Sequence, residues 1–188
     1  MAAVEAAVSG GANVVQLREK DLPPAELLAL ARRLRDVTRG RALLVVNGPL
    51  EVAEAAEVDG VHLPEGASMP LRAGLLVGCS VHSAEVARRA QAGGADYLVA
   101  GPVYETRSHP GVQPAGLALI EEIARAVDVP VLAIGGVTAG RVEEVVRAGA
   151  SGVAAISAVF GAGDPRVAAL DLRRALDAAW AAAGAARR

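Results

Sequence analysis

The chain has 188 residues, of which 53% are hydrophobic and 21% charged, a composition typical of a globular protein with a sizeable core. Its net charge of −2 without a basic stripe argues against nucleic-acid binding, and no apolar run is long enough to span a membrane. The single cysteine, Cys79, excludes an intramolecular disulfide, and the first residues lack a signal-peptide pattern, so we expect a cytoplasmic protein.

Short β-branched runs alternate with helical segments along the chain. A first helix is predicted over residues 2–9, and a strand follows within residues 9–17 after a Gly-Gly pair that suits a helix C-terminus. Pro23 and Pro24 open a helix that ends near Thr38. A strand is then predicted over residues 41–46.

Five more strands are predicted in the rest of the chain, within or over residues 55–63, 75–80, 92–100, 129–134 and 147–157. Ser83 and Thr138 stand where an N-cap would start a helix. Asp164 and Pro165 open the last helix.

Alternating strands and helices predict an α/β fold with a parallel sheet, either a barrel or a doubly wound sheet. No G-x-G-x-x-G follows the first strand, which argues against a dinucleotide-binding sheet. We therefore predict one domain over residues 1–188, a (β/α)8 TIM-type barrel. Since a complete barrel has eight strands, the first strand is expected to be missing. Either the native protein starts upstream of Met1 or the barrel has an unusual seam.

The strongest functional signal lies at the ends of the last two strands. Gly135 and Gly136 let backbone N–H groups approach a ligand closely, and the Ser157 hydroxyl can donate from the next strand. Loops at these two positions are the usual phosphate site of the barrel. These three residues are predicted to bind phosphate, and the alternative is a tight turn without a ligand.

Two cations follow the first strand. Arg18 and Lys20 alternate along the chain and share one side with Gln16. Paired cations at a barrel mouth suit an anionic substrate. The alternative is a surface ion-pair network with Glu19 and Asp21.

The chain contains three histidines. His109 lies in a long polar loop, where an imidazole could transfer a proton. His62 and His82 come at or just after strand ends and are expected to be hydrogen-bonded structural groups. Their spacing supports no zinc site.

Six segments in order resemble signatures of the thiamine-phosphate synthase/TenI family: VVQLREK, DGVHL, SVHS, GADYLVAGPVYET, VPVLAIGGV and GVAAISA. The resemblance covers about residues 11–165. It implies one of two activities. The synthase joins a pyrimidine diphosphate to a thiazole phosphate and releases pyrophosphate, whereas TenI-type members aromatise a thiazole carboxylate phosphate by moving a proton.

The resemblance also implies substrate-binding residues at the strand ends. On the diphosphate side these are Gln16, Arg18, Lys20, Asn47 and Ser80. On the thiazole-phosphate side these are Thr106, Ser108, Gly135, Gly136 and Ser157.

Four departures from the family pattern bear on the activity. Gly48 and Ala67 replace the two aspartates with which the synthase holds Mg²⁺, and His109 replaces a synthase lysine. PEGAS and SVHS look like TenI-type segments, although Pro102 stands where a TenI-type protein has its catalytic histidine. His109 is therefore the candidate catalytic residue.

These departures favour a TenI-like thiazole tautomerase, an isomerase that needs no cofactor and binds no metal. The alternatives are a thiamine-phosphate synthase, which would use Mg²⁺, and a non-catalytic barrel that binds thiazole or thiamine phosphates and regulates a partner. All three imply a small phosphorylated thiazole or thiamine-type ligand. The resemblance is also compatible with a homodimer.

Overall fold

The sheet is parallel throughout and follows the order of the chain. The computed structural model describes residues 1–68, 74–106 and 111–186. Its seven strands are β1 (Val14–Leu17), β2 (Leu43–Val46), β3 (Gly60–Leu63), β4 (Leu76–Val81), β5 (Tyr97–Ala100), β6 (Val131–Ile134) and β7 (Gly152–Ala154). Each strand pairs in parallel with the next, from β1 to β7 without a reversal. This order is that of a barrel and not of a doubly wound sheet, so the predicted α/β class is confirmed.

Helices connect most of the strands. They are α1 (Ala2–Ser9), α2 (Pro24–Thr38), α3 (Leu50–Ala55), α4 (Ala84–Gly93), α5 (Gly116–Ala126), a 3₁₀ turn (Ala139–Arg141), α6 (Val142–Arg147), α7 (Ser157–Phe160) and α8 (Pro165–Ala186). Between β3 and β4, residues 64–68 and 74–75 contain no helix, so the described residues do not alternate strictly. Within the described ranges, no helix combines the length and apolar character needed to cross a membrane.

Two of the three predicted helix caps are confirmed. Ser83 Oγ accepts a hydrogen bond from the N–H of Val86 at 3.3 Å. Asp164 Oδ1 accepts from the N–H of Arg166 at 2.9 Å and from that of Val167 at 3.2 Å. Thr138 is in the N-cap position of the 3₁₀ turn that precedes α6, but its side chain accepts no capping hydrogen bond.

The core lies between the sheet and the helices and consists of aliphatic side chains in two clusters. One cluster joins β1–β4 to α2 and α3 through residues such as Leu34, Leu44 and Val61. The other joins β4–β7 to α1, α5, α6 and α8 through residues such as Ala7 and Ile120. Full burial of one Leu or Ile side chain contributes about 1.5–3 kcal/mol.

Helix α1 belongs to the second cluster although it is the first element of the chain. Ala7 of α1 is buried in the same cluster as Ala169 and Leu172 of α8. The two ends of the chain therefore pack together.

Alternation along the strands gives the sheet a second face, which carries the polar side chains. Val61, Val77 and Val81 are buried in the helix-covered core. Because successive strand residues point to opposite faces, His62, Gly78 and Ser80 face away from those helices, toward the interior of the curled sheet.

Candidate functional site

The ends of β1 and β2 bring two predicted substrate-binding residues together. Gln16 pairs with Val45 in the sheet register, and the N–H of Asn47 donates to the carbonyl oxygen of Leu17 at 2.8 Å. This places Asn47 Nδ2 at 3.5 Å from Gln16 Oε1. Two side-chain amides therefore lie side by side at one rim of the sheet.

Arg18 and Lys20 follow β1, and both are exposed. In the part of the chain that the structure describes, no carboxylate lies within ion-pair distance of either side chain. An ion-pair network with Glu19 and Asp21 is therefore not formed. The charge of Arg18 also contributes to the lowered pKa of His62. Both cations are therefore available to bind an anion at this rim.

His62 lies on the inner face and connects three strands. Its side chain is only 2% exposed. The Nε2 atom lies 2.9 Å from Ser80 Oγ of β4, and the Nδ1 atom lies 3.3 Å from the hydroxyl oxygen of Tyr97 of β5. Burial, together with the nearby charge of Arg18, lowers the pKa of His62 to about 4, so the ring is neutral at pH 7.

His82 follows β4 and contacts Glu65, which follows β3. The imidazole Nδ1 atom and the Glu65 carboxylate form a hydrogen bond at the surface. His62 and His82 are thus both hydrogen-bonded, as predicted. Glu65, the acidic side chain nearest to the position of Ala67 in the sequence, is already engaged by His82.

A small pocket lies at the ends of β6 and β7. It has a volume of about 180 Å³ and is lined by Gly136, Val137, Thr138, Ser157, Ala158 and Gly161. Gly136 and Ser157 of the predicted phosphate site are among these residues, whereas Gly135 is not. The N–H groups of Gly136, Val137 and Thr138 donate to no acceptor in the described ranges. Backbone donors and the hydroxyl groups of Thr138 and Ser157 therefore line this pocket, a donor set that suits phosphate.

The glycine pair is also needed for packing. Gly135 and Gly136 have φ angles of +97° and +64°. A Cβ atom on Gly136 would lie 2.4 Å from the carbonyl oxygen of Glu105 and 2.8 Å from the Cβ of Tyr104. The tight turn and the open N–H groups are therefore two consequences of the same backbone conformation.

Arg141 is a residue beside the pocket that sequence reasoning missed. Its Nη1 donates to the carbonyl oxygen of Gly136 at 2.9 Å, and its guanidinium carbon lies 4.3 Å from the centroid of the Tyr104 ring. The Tyr104 hydroxyl donates to Glu144, and burial together with this contact raises the pKa of Tyr104 to about 12. The only sequence signal was a basic residue one turn after the glycine pair. Arg141 holds the turn and adds positive charge near it.

The remaining predicted site residues follow β5. Thr106 is half-buried in the loop after β5. Ser108 and His109 lie outside the described residues, so their roles stay predictions.

The described residues do not fit a metal held by the protein. Within residues 1–68, 74–106 and 111–186, no group of three or more His, Cys, Asp or Glu side chains could hold a metal ion. Gly48 and Ala67 carry no ligand atoms on their side chains. No chemical step is therefore assigned to a metal ion.

Comparison with known proteins agrees with this geometry. A profile of the family described as thiamine monophosphate synthase matches residues 1–159. A thiamine-phosphate synthase of Methanoculleus marisnigri is 48% identical, with 93% of this chain and 87% of that protein covered. One from Anaeromyxobacter dehalogenans is 43% identical, with 98% and 86% covered.

Solved structures agree as well. The thiamine phosphate pyrophosphorylase of Pyrococcus furiosus superimposes with a TM-score of 0.86 at 37% identity, over 95% of this chain and 89% of that one. The chain belongs to the thiamine monophosphate synthase family.

Proposed function

We infer that this protein is a transferase that joins a pyrimidine diphosphate to a thiazole phosphate, forming thiamine phosphate and pyrophosphate. Two regions at the strand ends that could bind anions support the proposal above all. Within the described residues Arg18 and Lys20 form no ion pair after β1, and the pocket of Gly136 and Ser157 offers hydrogen-bond donors after β6 and β7. Two phosphorylated substrates need two such regions, whereas a tautomerase needs one. The names of the relatives support the same choice.

Each region has a defined task in this reaction. A bond forms between the two halves while the bond from the pyrimidine methylene to the diphosphate breaks, and its electron pair leaves with pyrophosphate. Arg18 and Lys20 stabilise the negative charge that develops on the diphosphate. The pocket at Gly136 holds the phosphate of the thiazole half and so orients the acceptor.

The direct test is synthesis of thiamine phosphate from the two phosphorylated halves in the presence of Mg²⁺. Without carboxylates at positions 48 and 67, we expect product at a turnover below about 1 s⁻¹, the low end of typical enzymes. Formation of no product above the uncatalysed background would overturn the proposal.

Replacing Arg18 with Ala is expected to weaken pyrophosphate binding by about 1–3 kcal/mol, since a charge-assisted contact is lost. This corresponds to a loss of roughly 5- to 150-fold in affinity. Isothermal titration with pyrophosphate measures the change. Arg88→Ala serves as the control, because Arg88 is exposed on α4, away from the strand ends. Equal affinities of the two variants would show that Arg18 does not bind the diphosphate.

A thiazole tautomerase is the second candidate. It is favoured by the lack of side-chain ligand atoms at Gly48 and Ala67 and by the contact that ties Glu65 to His82. A barrel that binds both phosphorylated compounds without turning over either would match the third, non-catalytic alternative.

If the protein is a tautomerase, His109→Asn should lower its turnover of the thiazole carboxylate phosphate by roughly 100-fold or more, because a general acid–base group is lost. Ultraviolet absorbance of the aromatised thiazole follows the reaction. His82→Asn is the control. Full activity of the His109 variant would assign the proton transfer to another residue, with Glu105 next to be tested.

A further inference from the structure

The inner face of the sheet contains a chain of three hydrogen-bonding side chains that neither candidate reaction explains. Tyr97 of β5, His62 of β3 and Ser80 of β4 are linked through the two ring nitrogens of His62. His62 is fully buried, and Ser80 is half-buried near the end of its strand. Tyr97 is also half-buried, but it is the first residue of β5 and lies away from the rim where the strands end, so only Ser80 can reach a ligand there.

A glycine in β4 leaves the space that these three side chains occupy. Gly78 pairs with both His62 and Tyr97 in the sheet register. A Cβ atom on Gly78 would lie 2.1 Å from Cζ of Tyr97 and 2.4 Å from its hydroxyl oxygen. Any other residue at position 78 would displace the Tyr97 ring and break its contact with His62.

The tautomer of His62 sets the direction of both hydrogen bonds. A neutral imidazole has one N–H donor and one acceptor nitrogen. Burial raises the pKa of Tyr97, so the phenol keeps its proton, and in one of the two tautomers it donates that proton to His62 Nδ1. The proton of His62 is then on Nε2, and that N–H donates to Ser80 Oγ.

Ser80 is thereby left with a hydroxyl proton that must point elsewhere. Because its oxygen accepts from His62, the O–H is directed to a group other than the imidazole. Arg18 follows β1 and Ser80 lies near the end of β4, so both residues lie at the rim where the parallel strands end, and an anion held by Arg18 would lie at the same rim. An oxygen of such an anion is the natural acceptor.

We propose that Tyr97 and His62 are positioning residues that lock the Ser80 hydroxyl as a hydrogen-bond donor to an anionic oxygen of the diphosphate. The identity of the ligand rests on the proposed function, whereas the direction of the hydrogen bonds does not. Ser80 then favours ligands that present a hydrogen-bond acceptor at this position. It does not act as a nucleophile, because His62 does not remove its proton.

The first test concerns the tautomer of His62 and needs no ligand. A long-range ¹⁵N–¹H correlation spectrum of ¹⁵N-histidine-labelled protein at pH 7 identifies the protonated ring nitrogen. His62→Gln assigns the signals by removing them. A proton on Nε2 is expected, and a proton on Nδ1 would overturn the proposal whatever the protein binds.

The second test measures pyrophosphate binding by titration. Ser80→Ala is expected to lose about 10-fold or more in affinity, the effect of a hydrogen bond to a charged group. His62→Leu is expected to lose less, about 3- to 10-fold, since the Ser80 hydroxyl remains but is free to turn. His62→Gln should restore most of the affinity, because its amide can accept from Tyr97 and donate to Ser80.

A double variant separates positioning from simple structural damage. If His62 acts through Ser80, His62→Leu has no further effect on affinity in the Ser80→Ala background. Additive losses would overturn the positioning role. If the unaltered protein binds no pyrophosphate, the diphosphate assignment and the proposed function both fail. The tautomer measurement still decides the direction of the hydrogen bonds that link Tyr97, His62 and Ser80.

Discussion

Gly136→Ala is expected to lower the free energy of unfolding by about 2–4 kcal/mol, because the new methyl group combines a left-handed backbone with a close contact. The φ angle is +64°, and the Cβ atom would lie 2.4 Å from the carbonyl oxygen of Glu105, which belongs to the backbone and cannot rotate away. Thermal or denaturant unfolding measures the loss. Phosphate affinity should fall as well, since the turn that presents the N–H groups must move.

Gly140→Ala is the matched control for this substitution. Gly140 lies in the 3₁₀ turn four residues further on, and its Cβ atom would meet nothing within 4 Å. We expect its stability to change by less than about 1 kcal/mol, and in the stabilising direction if at all. A Gly136 variant that unfolds like the Gly140 variant would show that the turn adapts to a side chain.

Gly48→Asp combined with Ala67→Asp is expected to raise Mg²⁺-dependent synthesis of thiamine phosphate by about 100-fold. The resemblance places a metal-holding carboxylate at each of these positions. Two carboxylates would hold the ion next to the departing diphosphate, where its positive charge would stabilise the negative charge that develops. Initial rates with and without Mg²⁺ measure the gain.

Both positions can accept the larger side chain. Ala67 is exposed, and a Cβ atom on Gly48 would lie 3.0 Å from Cδ2 of Leu27 and 3.3 Å from Cγ1 of Val46, so these two buried side chains must shift by a few tenths of an ångström. Gly48→Asn with Ala67→Asn is the control, because it reproduces the shape without the charge. If the Asn pair gains as much as the Asp pair, or if neither gains, the missing carboxylates are not what limits the synthase.

The elements could be predicted because their signals are local. The strand predicted over residues 41–46 is observed as Leu43–Val46, and the helix opened by Pro23 and Pro24 is observed as Pro24–Thr38. The strand begins two residues late because the N–H groups of Arg41 and Ala42 both donate to the carbonyl oxygen of Thr38, at 2.9 Å each. A turn that hydrogen-bonds to the preceding helix does not change the pattern of apolar residues, so the sequence could not reveal where the strand begins.

The site was predictable only where it follows from the strand ends. Gln16 and Asn47 meet because neighbouring parallel strands end at the same rim. The contact between His62 and Tyr97 spans 35 positions of the sequence and depends on the register of three strands and on the space above Gly78. Arg141 was missed for a similar reason, since its partner Tyr104 belongs to a different loop.

The packing of α1 against α8 has a consequence for biosynthesis. Ala7 reaches its final environment only beside Ala169 and Leu172, more than 150 positions further along the chain. A ribosome adding about 5–20 residues per second needs roughly 10–30 seconds to make that stretch. During that interval Val4 can already pack against the first cluster, but Ala7 still lacks its partners on α8. Closure of the helical layer therefore belongs to the last stage of folding. A chaperone that shields this helix would have to release it before α8 can dock.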